Sequence, residues 1–562
     1  MTESFGAPPN ARLLLKIHLP QTFVLGFVVT SVLCQGVGCR QEPPVAESGS
    51  SLQSRATPTT RASESASPFH FRDVSSTSGV EWVYRNGDEV QRFAIVESLG
   101  GGVAAFDYDR DGADDLFFTG GGLYGPSSTL VGLSGGLFQN MSQSTSLTFR
   151  PVTREATIDA VKHYSHGAFA ADYDNDGFPD LIVTGYGGLQ FWCNRGDGTF
   201  VDRTEAANLT NTLWSSAAAW GDLNGDSIPD LYVAHYVNWS FENDPHCDGR
   251  TAAQREVCPP RHFEPLPDTL YFGQGDGTFV DGSVNAGLRS DGKGLGVVLA
   301  DLDLDGDVDI YVCNDTVENF LYVNDGHGKL TDSSLTSGAA LSDRGTPDGS
   351  MGLDLCDYNA DGLPDLFVAN YENENCALYE NLGNMIFRHV SQRTGITASG
   401  GMYVGWGTLS SDLDLDGDED FFVVNSHVLR FPENSSLKQP PLLYENLSRS
   451  RFVNRAKQTG GFFADSHMTR GMAGSDLNRD GAVDLVTSSL NEPAAVLANV
   501  PSPGRHWLEI DLIGTTSSRD PVGARVTVTT HWAGRSVNFA EAGVIFQPIL
   551  GDYTGDWDRP KR

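Results

Sequence analysis

The sequence predicts an all-β chain: a seven-bladed β-propeller with calcium loops between strands A and B of each blade, followed by a small β domain. Three observations carry this prediction. A nine-residue acidic cassette recurs seven times, apolar runs of strand length flank the copies, and the composition is that of many tight turns. Gly at 63 and Asp plus Glu at 73, against 38 Lys plus Arg, place carboxylates in those turns. At 562 residues the chain is longer than one compact domain usually is, which favours a repeat architecture.

In chain order, residues 1–39 read as a signal peptide. Arg12, Lys16 and His18 precede the apolar run 22–34, a length that suits an export signal better than a membrane span. The run ends in Gly36-Val37-Gly38-Cys39, which looks like a bacterial lipoprotein cleavage site, with Gly where Leu is usual three residues before Cys39. Lipidation at Cys39, plain cleavage and retention as an anchor all stay open. Residues 40–67, rich in Ser, Thr, Pro, Ala and Glu, read as a flexible linker.

The propeller is expected over 68–500. Its cassettes are DYDRDGADD from Asp107, DYDNDGFPD from Asp172, DLNGDSIPD from Asp222, DLDLDGDVD from Asp301, DYNADGLPD from Asp357, DLDLDGDED from Asp412 and DLNRDGAVD from Asp476. Their first residues are 65, 50, 79, 56, 55 and 64 positions apart, the size of a four-stranded blade with variable loops. Segments 69–75 read as a D strand with no A to C strands before it, and the last cassette lacks a D strand after it. The N-terminal strand is therefore expected to complete blade seven and abolish the exposed edge.

Oxygen-bearing side chains stand at cassette positions 1, 3, 5 and 9, with Gly usually at 6, the pattern that a hard cation such as Ca2+ requires for six to eight oxygens. The candidate ligands are Asp107, Asp109, Asp111 and Asp115; Asp172, Asp174, Asp176 and Asp180; Asp222, Asn224, Asp226 and Asp230; Asp301, Asp303, Asp305 and Asp309; Asp357, Asn359, Asp361 and Asp365; Asp412, Asp414, Asp416 and Asp420; and Asp476, Asn478, Asp480 and Asp484. Loop three departs from the pattern, with Gly225 at position 4 and Ser227 at position 6. The flanks are strands and no Glu stands at position 12, which argues against helix-loop-helix sensing of the EF-hand kind. Four carboxylates in one loop without a cation would repel one another. About seven Ca2+ are expected, adding 14 positive charges and bringing the net charge from -35 to -21.

That charge argues against nucleic acid and against an anionic lipid surface as partners. Cys247 and Cys258 lie 11 residues apart in a long, irregular connection, and a disulfide between them is expected in an oxidising compartment. The same connection holds Trp239, Phe241, His246, Arg261, His262 and Phe263. With Asn314, Asp315, Tyr371, Glu372 and His427 it is expected to form the ligand face, on the side of the propeller opposite the cassettes; the alternative is that it only caps the central channel. No HExxH, GxSxG, Walker or dinucleotide motif is present, and acid pairs are too abundant to nominate a general acid.

The cassettes and their glycine turns resemble FG-GAP or VCBS repeats, the calcium-bearing blades of integrin α-type propellers. Leu270-Tyr-Phe-Gly-Gln-Gly-Asp-Gly-Thr-Phe279, Asn285-Ala-Gly-Leu288, Asn314-Asp-Thr-Val-Glu-Asn319 and Asn425-Ser-His-Val428 are similar to the cartilage acidic protein family and its bacterial relatives, which end in an ASPIC/UnbV domain. Residues 505–562 resemble part of that β domain, with the match failing after Gly543. With the resemblance, the leading expectation is a calcium-binding, exported binding or adhesion module at a cell surface, with a glycan, matrix component or protein as partner; the lack of catalytic motifs adds the expectation of no catalytic activity. A polysaccharide lyase or hydrolase, or a structural scaffold of an envelope complex, are the alternatives.

Overall fold

The apolar runs pair as seven four-stranded antiparallel sheets, each made of strands A to D in spatial order. The computed structural model describes residues 66–251 and 254–507, the stretches 511–514, 517–520, 522–532, 535–542 and 549–550, and the strand Ala11–Leu14. The rest of the predicted signal peptide, Cys39 and the linker to residue 65 lie outside the described residues.

The A strands are Val103–Phe106, Tyr164–Ala171, Ser215–Gly221, Gly294–Ala300, Ser350–Cys356, Gly405–Ser411 and Thr469–Ser475. Each packs on the A strands of both neighbouring blades, and the series closes from the seventh back to the first. Glycine makes this approach possible. Five residues before six of the seven cassettes the chain has Gly, and Ala217 in the third. A Cβ added to Gly352 would fall 1.7 Å from the Trp406 carbonyl oxygen of the next blade, and one on Gly471 would fall 1.8 Å from that of Gly101.

Ring closure follows the predicted phase. Phe71–Asp73 is the outer strand of blade seven, with Phe71 opposite Asn499 and Asp73 opposite Leu497. Apolar side chains fill the spaces between blades; Phe367 of blade five stacks on Phe421 of blade six with centroids 4.0 Å apart.

One recurring element was not anticipated. In five blades the D strand is followed by a single helical turn: Ser75–Ser78, Ser283–Ala286, Ser334–Ser337, Ser391–Thr394 and Ala456–Thr459. In the four turns that begin with Ser, that first hydroxyl accepts a hydrogen bond from strand C, as from Leu378 N to Ser391 Oγ at 2.7 Å and from Leu321 N to Ser334 Oγ at 3.0 Å. Beyond the propeller, Arg525–Trp532 pairs with Arg535–Ala542, His506–Trp507 with Ile549–Leu550, and Asp511–Gly514 with Ala11–Leu14.

Candidate metal centre

Each cassette is the connection between strands A and B, and its position 9 is the first residue of strand B: Asp115, Asp180, Asp230, Asp309, Asp365, Asp420 and Asp484. Backbone geometry repeats from loop to loop. Position 4 is left-handed even where it is not Gly, with φ 59° at Arg110 and 63° at Leu304. Position 6 is left-handed too, which is why Gly is preferred there. Loop three keeps this path with the residues exchanged, Gly225 at φ 74° and Ser227 at φ 70°.

The carboxylates have distinct partners. Position 1 accepts the N–H of position 6 in all seven loops, at 2.5 to 3.0 Å. Position 5 accepts the N–H of position 7, and its side chain is exposed in Asp111, Asp176, Asp226, Asp305 and Asp361. Position 9 is buried in every loop. One of its oxygens accepts an N–H from strand C at 2.7 to 3.0 Å in all seven. The other accepts the N–H of position 2 in six loops, Asp365 being the exception.

Positions 1, 3 and 9 converge. In loops one, two, four and six, one oxygen from each of Asp107, Asp109 and Asp115, of Asp172, Asp174 and Asp180, of Asp301, Asp303 and Asp309, and of Asp412, Asp414 and Asp420 lies within 4.8 Å of the others. Loops three, five and seven carry Asn224, Asn359 and Asn478 at position 3; Asn359 and Asn478 each donate to the position 5 carboxylate, Asp361 and Asp480, at 3.0 and 3.1 Å. Burial, reinforced by neighbouring carboxylates, pushes Asp115, Asp180 and Asp365 up to about 9 and Asp230 and Asp309 up to about 7. Asp420 and Asp484 are pushed well up for the same reason. A divalent cation reverses that pressure, since it holds its carboxylates ionised. Asp172 Oδ1, Asp365 Oδ2 and Asp414 Oδ1 are buried with no hydrogen-bond partner, so the residues present fit a hard cation.

The residue that sequence reasoning missed is the Asn ending strand C. Asn140, Asn194, Asn324, Asn381, Asn446 and Asn499 each donate a side-chain N–H to the position 2 carbonyl of the preceding blade's cassette, at 2.8 to 2.9 Å. Their own backbone N–H groups bond position 9, so loop and blade junction form one network. Blade three has Gly273 there, where a Cβ would fall 2.6 Å from the Pro229 carbonyl. An Asn six times at one repeat position was the signal available.

On the opposite face the structure joins Cys247 to Cys258, with Cα atoms 5.3 Å apart. The insert packs across the ring rather than opening a groove. Val257, Cys258 and Phe263 share one cluster with Trp406 and Met351 of the A strands, and Glu256 accepts the N–H groups of Arg430 and Phe431 from blade six. Three of the expected ligand-face residues are buried. Trp239 is buried among Trp214, Tyr186 and Phe241; Asn314 is buried and donates to the Glu318 carbonyl; and His427 is buried with Nε2 3.2 Å from Glu372 Oε1. Asp315 is half-buried and accepts the Tyr236 hydroxyl at 2.5 Å. Arg261, His262 and His246 are exposed, Tyr371 and Glu372 half-exposed, and Phe263 buried.

Residues 172–233, 301–368 and 357–423 match the family model described as FG-GAP-like repeat, and these stretches contain cassettes two to six. Repeats and ring together define the class: the chain is a seven-bladed β-propeller that contains FG-GAP-like repeats in blades two to six. Within that class it is similar to cartilage acidic protein 1. The Mus musculus protein is 23% identical over 470 residues, covering 79% of this chain and 66% of its own length, and the Homo sapiens protein is 22% identical over 470 residues, covering 79% and 64%. The chain thus spans a little under two thirds of the length of these relatives. A solved Agrocybe aegerita lectin, described as recognising non-reducing terminal N-acetylglucosamine, aligns over 70% of this chain and 87% of its own at 16% identity and a TM-score of 0.38, too low to carry an argument. Among the described residues no helix is long and apolar enough to cross a membrane.

Proposed function

We propose that this chain is an exported propeller that is rigidified by about seven Ca2+ in its A to B loops and acts as a binding or adhesion module at the cell surface. The carrying observation is the convergence of three carboxylates in each of four loops, with a buried oxygen left unpartnered in loops two and six. In this reading the cations are structural: positions 1, 3, 5 and 9 would hold them, and the network from position 9 through the strand C Asn transmits their order to the blade junctions.

The face opposite the cassettes, around Arg261, His262, Tyr371 and Glu372, is the proposed contact surface for a glycan, matrix component or exported protein. The chain binds and does not catalyse; turnover of an acidic polysaccharide by purified protein would overturn that part. The test is a glycan array and a pull-down from cell-surface extracts, with wild type and with Arg261→Ala plus His262→Ala. Capture that the double substitution abolishes while the folded state persists supports the reading, and undiminished capture relocates the surface.

A further inference from the structure

After blade seven the chain returns to the cassette face, where Arg505 and Trp507 reach loops six and seven. Trp507 packs with Leu415, position 4 of loop six, and Ala482, position 7 of loop seven. Its indole sits against Gly481, where an added Cβ would fall 1.9 Å from Trp507 Cδ1. Arg505 faces loop six, with Nη2 4.0 Å from Asp414 Oδ1.

Both partners have unmet capacity. Arg505 Nη1 and Asp414 Oδ1 are each buried without a hydrogen bond. Guanidinium and carboxylate therefore face one another through charge rather than through a formed hydrogen bond. Loop six is also the one triad whose three carboxylates, Asp412, Asp414 and Asp420, are all buried, so solvent screens the interaction least there. Other arginines near the cassettes are placed differently. Arg519 Nε lies 3.3 Å from Asp172 Oδ2, but Asp520 Oδ2 accepts the Asp172 N–H at 2.8 Å, so that segment brings both signs of charge to loop two. Arg479 lies 3.7 Å from Asp111 with both side chains about half exposed.

We propose that Arg505 is a built-in counter-cation of loop six, which neutralises Asp414 while the loop is empty and yields when a divalent cation binds. Cation binding at loop six and docking of Arg505 and Trp507 then oppose each other, and by linkage each weakens the other by the same factor. The inference rests on reading the cassettes as calcium loops.

Calcium titration calorimetry on the full chain, comparing wild type, Arg505→Gln and Arg505→Lys, tests it together with hydrogen exchange of wild type. Removing the charge should tighten one site by about tenfold, within the usual range of such couplings. Lys, which keeps the charge, should leave the titration near wild type. In wild type the amides of residues 504–507 should exchange faster with saturating calcium than with chelator, a readout that needs no substitution. A Gln variant whose titration superimposes on wild type, or amides 504–507 equally or better protected with calcium, would overturn the proposal. Wild type that takes up no calcium would overturn it too, and would do so before any variant is compared, which separates failure of the calcium reading from failure of the counter-cation.

Discussion

At position 9 of the cassette a single carboxylate belongs both to the acidic loop and to the sheet. Asp309 accepts the N–H groups of Leu302 and Asn324, both at 3.0 Å. Asp309→Ala should therefore lower stability by about 2–5 kcal/mol even with calcium chelated, because two buried donors lose their acceptor. Urea unfolding of the chelated protein measures this. Asn446 donates to the Tyr358 carbonyl of blade five and to the Glu419 carbonyl of its own blade, at 2.9 and 3.1 Å. Asn446→Ala should cost about 1–3 kcal/mol in the same assay, and unchanged stability would remove the Asn from the junction network. The carboxylates were legible in the sequence because their spacing is local. The Asn was not, since its acceptor lies in another blade, 88 residues away in sequence for Asn446 and Tyr358. The burial of Trp239 was not legible for a related reason: only the folded structure shows that the long connection carrying it packs over the ring.

Strands and their junctions set the next scale. The A strands approach closely because a glycine faces the neighbouring backbone, so Gly352→Ala should destabilise the fold by about 1–3 kcal/mol, as overpacked sites do. A thermal-unfolding midpoint equal to that of wild type would show that the Trp406 carbonyl can retreat. The D strand supplied from the N-terminus makes a second demand. A chain starting after residue 74 should expose the edge Glu492–Asn499 and self-associate, visible in sedimentation velocity, whereas a monomeric and equally stable truncation would show closure to be dispensable. Strand phase, blade count and closure were all readable from the flanks of the cassettes. The helical turn after strand D escaped because four residues such as Ser-Val-Asn-Ala carry too little periodicity to register; its cue is the Asp-x-Ser and following Gly that fix its two ends, as at Asp281, Ser283 and Gly287.

For the molecule as a whole, the governing fact is a net charge of -35 with carboxylates gathered on one face of a closed ring. Without cations, burial and neighbouring carboxylates drive the position 9 carboxylates toward their protonated forms. Cations bound only by the folded ring would stabilise it by mass action, so on the proposed reading calcium occupancy and fold stability are linked. The opposite face is held by a disulfide, aromatic packing and the Glu256 contacts to blade six, none of which needs a metal. The most direct measurement is therefore calcium stoichiometry by equilibrium dialysis on the purified chain, paired with thermal unfolding in calcium and in chelator. The account predicts about seven ions per chain and an unfolding midpoint lowered by more than about 10 °C on chelation, given the several coupled sites. A folded, metal-free chain whose midpoint is the same with and without chelator would contradict it.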